Sequence, residues 1–199
     1  FLSDEQRMIR DTARDFAQAE LAPHAGQWED AGWIPDAIVA KLGELGFLGM
    51  TVPQEWGGTG ADYVSYILAV EEIAAGCAAT STLMSVQNGL GCGLVQAWGN
   101  DAQKKAWLPE LASGRAIACF CLTEPQAGSE ANNLKTRATE AAGAWTLEGT
   151  KQFISNGSEA GVAIVVARTN PDAGKRGFTT FLVEPPAKGY VVSRVEDKL

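Results

Sequence analysis

The sequence predicts an α+β protein: an N-terminal all-α helical domain, residues 1–115, followed by a small antiparallel β-barrel or sandwich domain, residues 116–199. Three observations lead there. Up to Arg115 apolar residues recur at helical spacing between polar caps. After it, short β-branched and aromatic runs alternate with glycine, proline and asparagine. No helical stretch separates those runs, as a parallel nucleotide-binding sheet would require.

Ser3 followed by Gln6 has the form of a capping box, which starts a helix carrying Met8, Ile9, Ala13, Phe16, Ala17 and Leu21 on one face and stopping at Pro23. Pro35 to Leu45 reads as a second helix with Gly46 as its left-handed cap. Asp62 caps a third helix reaching about Ala75. The apolar stretch Ala78 to Trp98 reads as a buried helix whose glycines 89, 91 and 93 permit close packing. Asn100 with Gln103 opens a last helix, which ends at Gly114. Strands are expected at Ala116 to Leu122, Leu134 to Thr139, Ala144 to Leu147, Lys151 to Ile154, Val162 to Arg168, Phe178 to Val183 and Tyr190 to Val195.

Composition excludes several function classes. A formal net charge of -8 is wrong for a nucleic-acid groove, which needs a basic stripe to neutralise phosphates. No uncharged apolar run is long enough for membrane insertion, and no basic-then-apolar leader is visible, so a cytoplasmic setting, or a mitochondrial matrix one in a eukaryote, is expected. The chain opens on Phe1, so a removed targeting segment stays open. A single histidine, His24, argues against a histidine triad or a multi-histidine metal site. Cys77, Cys92, Cys119 and Cys121 lack zinc-site spacing and read as reduced core residues, the last two facing one side of a strand. The run from Gly89 to Leu94 lacks the last glycine of a dinucleotide fingerprint and follows no strand.

Two segments suit a polar ligand. In CLTEPQAGSE, residues 121–130, Thr123 and Ser129 offer hydroxyls, Pro125 fixes a turn and Gly128 lets backbone approach a ligand. Composition alone leaves a tight surface loop equally open. In KQFISNGSEAG, residues 151–161, an aromatic, a hydroxyl and an amide cluster, although a strand end with an Asn-Gly turn explains the same residues.

Together with GFLGMTVPQEWGGTG, VEEIA, NDAQKKAWLPELASG and the closing GYVVSRVEDKL, in that order, FCLTEPQAGSE and GTKQFISNG resemble the acyl-CoA dehydrogenase family along the whole chain. The resemblance implies a helical domain, a middle β-domain and a C-terminal helical-bundle domain, of which this chain supplies the first two. It implies FAD-dependent dehydrogenation of an acyl-CoA thioester to a trans-2-enoyl-CoA, with the α-proton taken by a glutamate beyond residue 199. No catalytic residue is therefore assigned in this chain, and the chain alone is expected to be inactive.

By the same resemblance the cofactor-binding residues are Phe120, Cys121, Leu122, Thr123, Gly128, Ser129, Phe153, Ile154 and Ser155. Thr123 would bond the flavin pyrimidine, Phe153 would pack on the isoalloxazine, and the Ser155 hydroxyl would lie near N5. Ser129 is the expected substrate contact, and no metal is implied. Phe153 stands where the family usually has Trp, Ser155 where it has Thr, and Glu130 where Asp is commoner. The segments SVQNGL and EDKL point to a short acyl chain. Electron-transferring flavoprotein is the implied partner, and a homotetramer or dimer the implied assembly. An acyl-CoA oxidase, a flavin monooxygenase of the same fold and a non-catalytic binding or assembly module are the alternatives.

Overall fold

The computed structural model describes residues 1–196; the closing residues of the GYVVSRVEDKL segment, 197–199, lie outside the described residues. The chain divides into two compact units, Phe1–Ile117 and the residues from Ala118 onward.

The first unit is helical. Helix α1, Asp4–Phe16, begins with the expected capping box: Ser3 Oγ accepts from the Gln6 amide at 3.1 Å, and Gln6 Oε1 accepts from the Ser3 amide at 3.0 Å. It buries Ala13 and Phe16, then continues through a widened turn, Ala17–Leu21, before Pro23 stops it. Met8 departs from the expected apolar face and is 62% exposed. Helix α2, Ala25–Ala31, was not foreseen, because it buries no residue and has no side-chain cap, so neither periodicity nor capping signals it. Helices α3, Asp36–Glu44, and α4, Tyr63–Gly76, follow the expected signals, with Asp62 Oδ1 accepting from the Ser65 amide at 2.7 Å.

The stretch expected as one buried helix is α5, Ala78–Ser85, a widened segment, Val86–Cys92, and α6, Gly93–Trp98. Gly89 does not serve close packing: a Cβ there would meet nothing within 4 Å. That part falls instead to Gly76, where a Cβ would come within 2.9 Å of the Ala17 carbonyl oxygen. Helix α7, Asp101–Ala112, again opens on a capping box, from Asn100 and Gln103. The core gathers Leu21, Leu42, Ile73 and Met84 from these helical segments and Leu48 from the turn after α3.

The second unit is a five-stranded sheet: β1, Ala118–Cys121; β2, Arg137–Ala141; β3, Ala144–Glu148; β4, Val162–Arg168; and β5, Phe178–Val183. The α+β class holds, but the sheet is mixed where an antiparallel one was expected. β4 pairs parallel with β1, from Ala118 against Val162 to Cys121 against Val165, and antiparallel with β5. It also meets β2 in parallel at Arg137 and Arg168, while β2 and β3 form a hairpin. As hub of three partners, β4 is a nearly continuous apolar run, VAIVVA, which suits a strand buried on both faces.

Two expected strands are not strands. Lys151 to Ile154 leaves the extended conformation at Phe153, whose φ is +56°. Tyr190 to Val195 joins no ladder among the described residues; Val191, Val192 and Val195 are exposed, and the Tyr190 hydroxyl anchors the segment by donating to the Gly157 carbonyl at 2.7 Å. The strands at Val162–Arg168 and Phe178–Val183 have the expected bounds, β3 runs one residue longer than expected, and β1 and β2 shift by one to three residues at their ends, since ladder pairing rather than composition sets them.

All four cysteines are free and buried. Burial pushes the Cys92 thiol up to about 12. Cys119 and Cys121 face the same way, sulfur to sulfur at 3.6 Å, as alternation along a strand requires.

Candidate functional site

The chemistry-bearing part of the sheet unit lies where β1 ends. The chain turns back at Pro125 and Gln126, with Glu124 and Ala127 exchanging both backbone hydrogen bonds at 3.0 Å. The tight-loop reading of CLTEPQAGSE is thus correct as local structure. Its exposed far side carries Gly128 and Ser129. Nothing in the chain's own packing demands glycine at 128, where a Cβ would meet no atom within 4 Å.

The second segment runs beside the first. The Gln152 amide donates to the Thr123 carbonyl at 2.9 Å, the Lys151 ammonium donates to the Leu122 carbonyl at 3.1 Å, and farther along Asn156 Nδ2 donates to the Ala118 carbonyl at 3.3 Å. Residues 151–156 therefore line residues 118–123, and the structure brings Phe120, Leu122, Thr123, Phe153, Ile154 and Ser155 into one neighbourhood. Phe120, Leu122 and Thr123 are half-buried there and Ser155 is exposed, while the half-buried Ile154 packs against the core formed by Cys119, Cys121, Ala160, Ala163 and Val165. Cys121 turns its thiol into the core at 5% exposure, leaving only its main chain to a ligand. The Asn-Gly turn is present too: Asn156 has φ +62°, and the Gly157 amide donates to the Ile154 carbonyl at 3.2 Å.

Phe153 combines two costs, a left-handed backbone and an aromatic residue left 63% exposed. For a bulky residue the left-handed region costs roughly 1–2 kcal/mol, and such strain persists where the surroundings impose it and gathers at ligand sites. Half-buried apolar side chains, an exposed aromatic face and nearby hydroxyls fit a planar, polar-edged aromatic cofactor.

Two residues escaped the sequence reading. Glu124 is 4% exposed. Its carboxylate accepts from the Lys135 amide at 2.6 Å, the Thr136 amide at 3.0 Å, Gln126 Nε2 at 2.6 Å and the Lys151 ammonium at 2.8 Å. Burial pushes this carboxyl up, but the Lys135 amide, the Lys151 ammonium and the Thr136 amide outweigh it and hold it at about 2. Lys151 also donates to the Val166 carbonyl at 2.7 Å. Nothing in one sequence separates a buried glutamate or its lysine from the solvated majority.

Among the described residues no cluster of three or more His, Cys, Asp or Glu could hold a metal, and no helix is long and apolar enough to cross a membrane.

A helical unit followed by a mixed-sheet unit with this strand-end site corresponds to two family models, the acyl-CoA dehydrogenase N-terminal domain over residues 3–115 and the middle domain over residues 119–199. The chain belongs to the acyl-CoA dehydrogenase family. Over 198 residues it is 43% identical to the mitochondrial short-chain specific acyl-CoA dehydrogenase of Homo sapiens, covering 100% of this chain and 48% of that protein. Butyryl-CoA dehydrogenase from Megasphaera elsdenii has TM-score 0.89 and 35% identity, over 94% of this chain and 50% of its own. A glutaryl-CoA dehydrogenase from Mycobacterium smegmatis, solved with FADH2, has TM-score 0.88 and 38% identity, over 94% and 47%. The chain spans about half the length of the curated relatives it matches.

Proposed function

We propose that this chain supplies the flavin-facing sheet of an FAD-dependent acyl-CoA dehydrogenase acting on a short acyl thioester. The supporting observation is the side-by-side alignment of residues 118–123 and 151–156, with Thr123 and the strained, exposed Phe153 at one end. In this reading Phe120 and Leu122 give the flavin an apolar bed, Phe153 covers a ring face, the Thr123 and Ser155 hydroxyls address its polar edge, and Ile154, packed against the Cys119 and Cys121 core, offers its main chain. Gly128 and Ser129 admit the diphosphate or the thioester-bearing chain, Ser129 being the substrate contact. When bound, FAD supplies the hydride acceptor.

The proton-abstracting carboxylate is assigned to none of residues 1–199. The relatives named for short-chain, butyryl-CoA and glutaryl-CoA substrates support the short-substrate reading. An electron-transferring flavoprotein as redox partner and a homo-oligomeric assembly complete the proposal.

The test is anaerobic mixing of the complete purified protein with butyryl-CoA. Bleaching of a visible flavin band is expected; a colourless protein, or a band unmoved by butyryl-CoA and by longer acyl-CoAs alike, contradicts the reading. The 199-residue chain alone should turn over no butyryl-CoA with an artificial electron acceptor.

A further inference from the structure

The side chains of Lys151 and Glu124 are only 12% and 2% exposed, so both are turned into the unit rather than presented to a ligand. Lys151 donates to the Leu122 carbonyl, Glu124 and the Val166 carbonyl, one acceptor for each ammonium proton. Glu124 gathers the Lys135 and Thr136 amides, where the chain approaches β2. One ion pair thereby ties the end of β1, the residues leading into β2, the middle of β4 and the base of the Phe153 segment. A buried pair of this kind is often matched or bettered in stability by apolar residues of similar volume. Stability alone therefore does not account for it, whereas a fixed distance between two ligand-facing segments does.

We propose that the Lys151–Glu124 pair is a positioning element that sets Thr123 and Phe153 relative to one another, and through them the rate of flavin reduction rather than the affinity for substrate. This rests on the function proposed above. Neither residue touches substrate or cofactor; both act through the main chain of Leu122, Thr123 and Gln152.

The experiment compares wild type and Lys151→Met in the complete, flavin-loaded protein. Hydrogen exchange at the Lys135, Thr136 and Gln152 amides should quicken at least about tenfold more than across the β4–β5 pairing, because the opening is local. Flavin reduction and kcat should fall by about 100-fold, the scale of a displacement near 1 Å. KM should stay within about twofold, since substrate binding is not the interaction removed. The visible flavin band should shift. Equal exchange changes at the three amides and across β4–β5 would overturn the proposal, and so would faster exchange with kcat and spectrum intact, the signature of a merely structural pin. If Lys151→Met does not fold, Glu124→Gln, which keeps an acceptor and removes the charge, is judged by the same comparison. A wild-type protein without flavin contradicts the proposed function and the positioning role with it, whereas a flavin-loaded protein whose kcat and spectrum survive Lys151→Met overturns the positioning role alone.

Discussion

Asn88 in the helical unit and Glu124 in the sheet unit are both buried beside backbone groups that regular structure leaves without partners, yet one is a neutral amide and the other half of an ion pair. Asn88 Oδ1 accepts from the Met50 amide at 2.7 Å, while its Nδ2 donates to the carbonyls of Phe47 at 2.7 Å and Met84 at 2.9 Å, pinning the start of the MTVPQEWGGTG loop. Glu124 and Lys151 do the same for the loop that ends β1. An amide satisfies donors and acceptors without desolvating a charge. An ion pair costs more to bury, and it makes the fixed geometry depend on protonation. The charged device sits beside the proposed cofactor face and the neutral one supports a loop of the helical unit.

This contrast can be broken most forcefully at the ion pair. Lys151→Met leaves Glu124 buried without its cation and should cost about 3–5 kcal/mol, read from urea unfolding followed through the β4 amides. Adding Glu124→Leu should recover much of that loss, because the two residues act as a unit. A small single-mutant cost would place the pair in the ordinary class of exposed ion pairs.

Acid sharpens the comparison next. The Glu124 carboxyl is held at about 2, below its ordinary 4.5, so its contribution is complete above pH 4.5 and disappears as pH falls toward 2. The sheet unit should lose roughly 3 kcal/mol from this group across that window. The Asn88 anchor has no proton to gain. Exchange rates of β4 amides and of the Met50 amide, followed down the pH range and corrected for intrinsic chemistry, should therefore diverge.

A smaller effect is expected at Asn88 itself. Asn88→Ala strands the buried Met50 amide and Phe47 carbonyl and should cost about 2–3 kcal/mol, independent of pH between 7 and 4. Smallest is Phe153→Gly, which relieves the left-handed backbone while adding chain entropy to the unfolded state. Stability should stay level or rise by up to about 1 kcal/mol, while flavin dissociation from the complete protein quickens.

Much of this architecture is legible in the sequence because its signals are local. Ser3 with Gln6, Asp62 and Asn100 with Gln103 declare helix starts through their own side chains. The apolar run of β4 declares a buried strand. Helix α2 was not legible, since it exposes most of its surface, nor was the parallel pairing of β1 with β4, since strand direction is set by tertiary connection. The segments holding Thr123 and Phe153 were singled out by residue type and by family resemblance, but what holds them together was not. The contact between Lys151 and Glu124 spans 27 positions, and no periodicity carries information over that separation. Lys151 to Ile154 reads as a strand from its residue types, but the left-handed backbone at Phe153 that ends the extended conformation has no local signal.

The most direct test of the central claim is a crystal structure of the flavin-loaded complete protein. The account predicts Thr123 Oγ1 within about 3.2 Å of a flavin heteroatom and the Phe153 ring within about 4.5 Å of the same isoalloxazine. An isoalloxazine seated elsewhere, with Thr123 and Phe153 both free of it, would contradict the account.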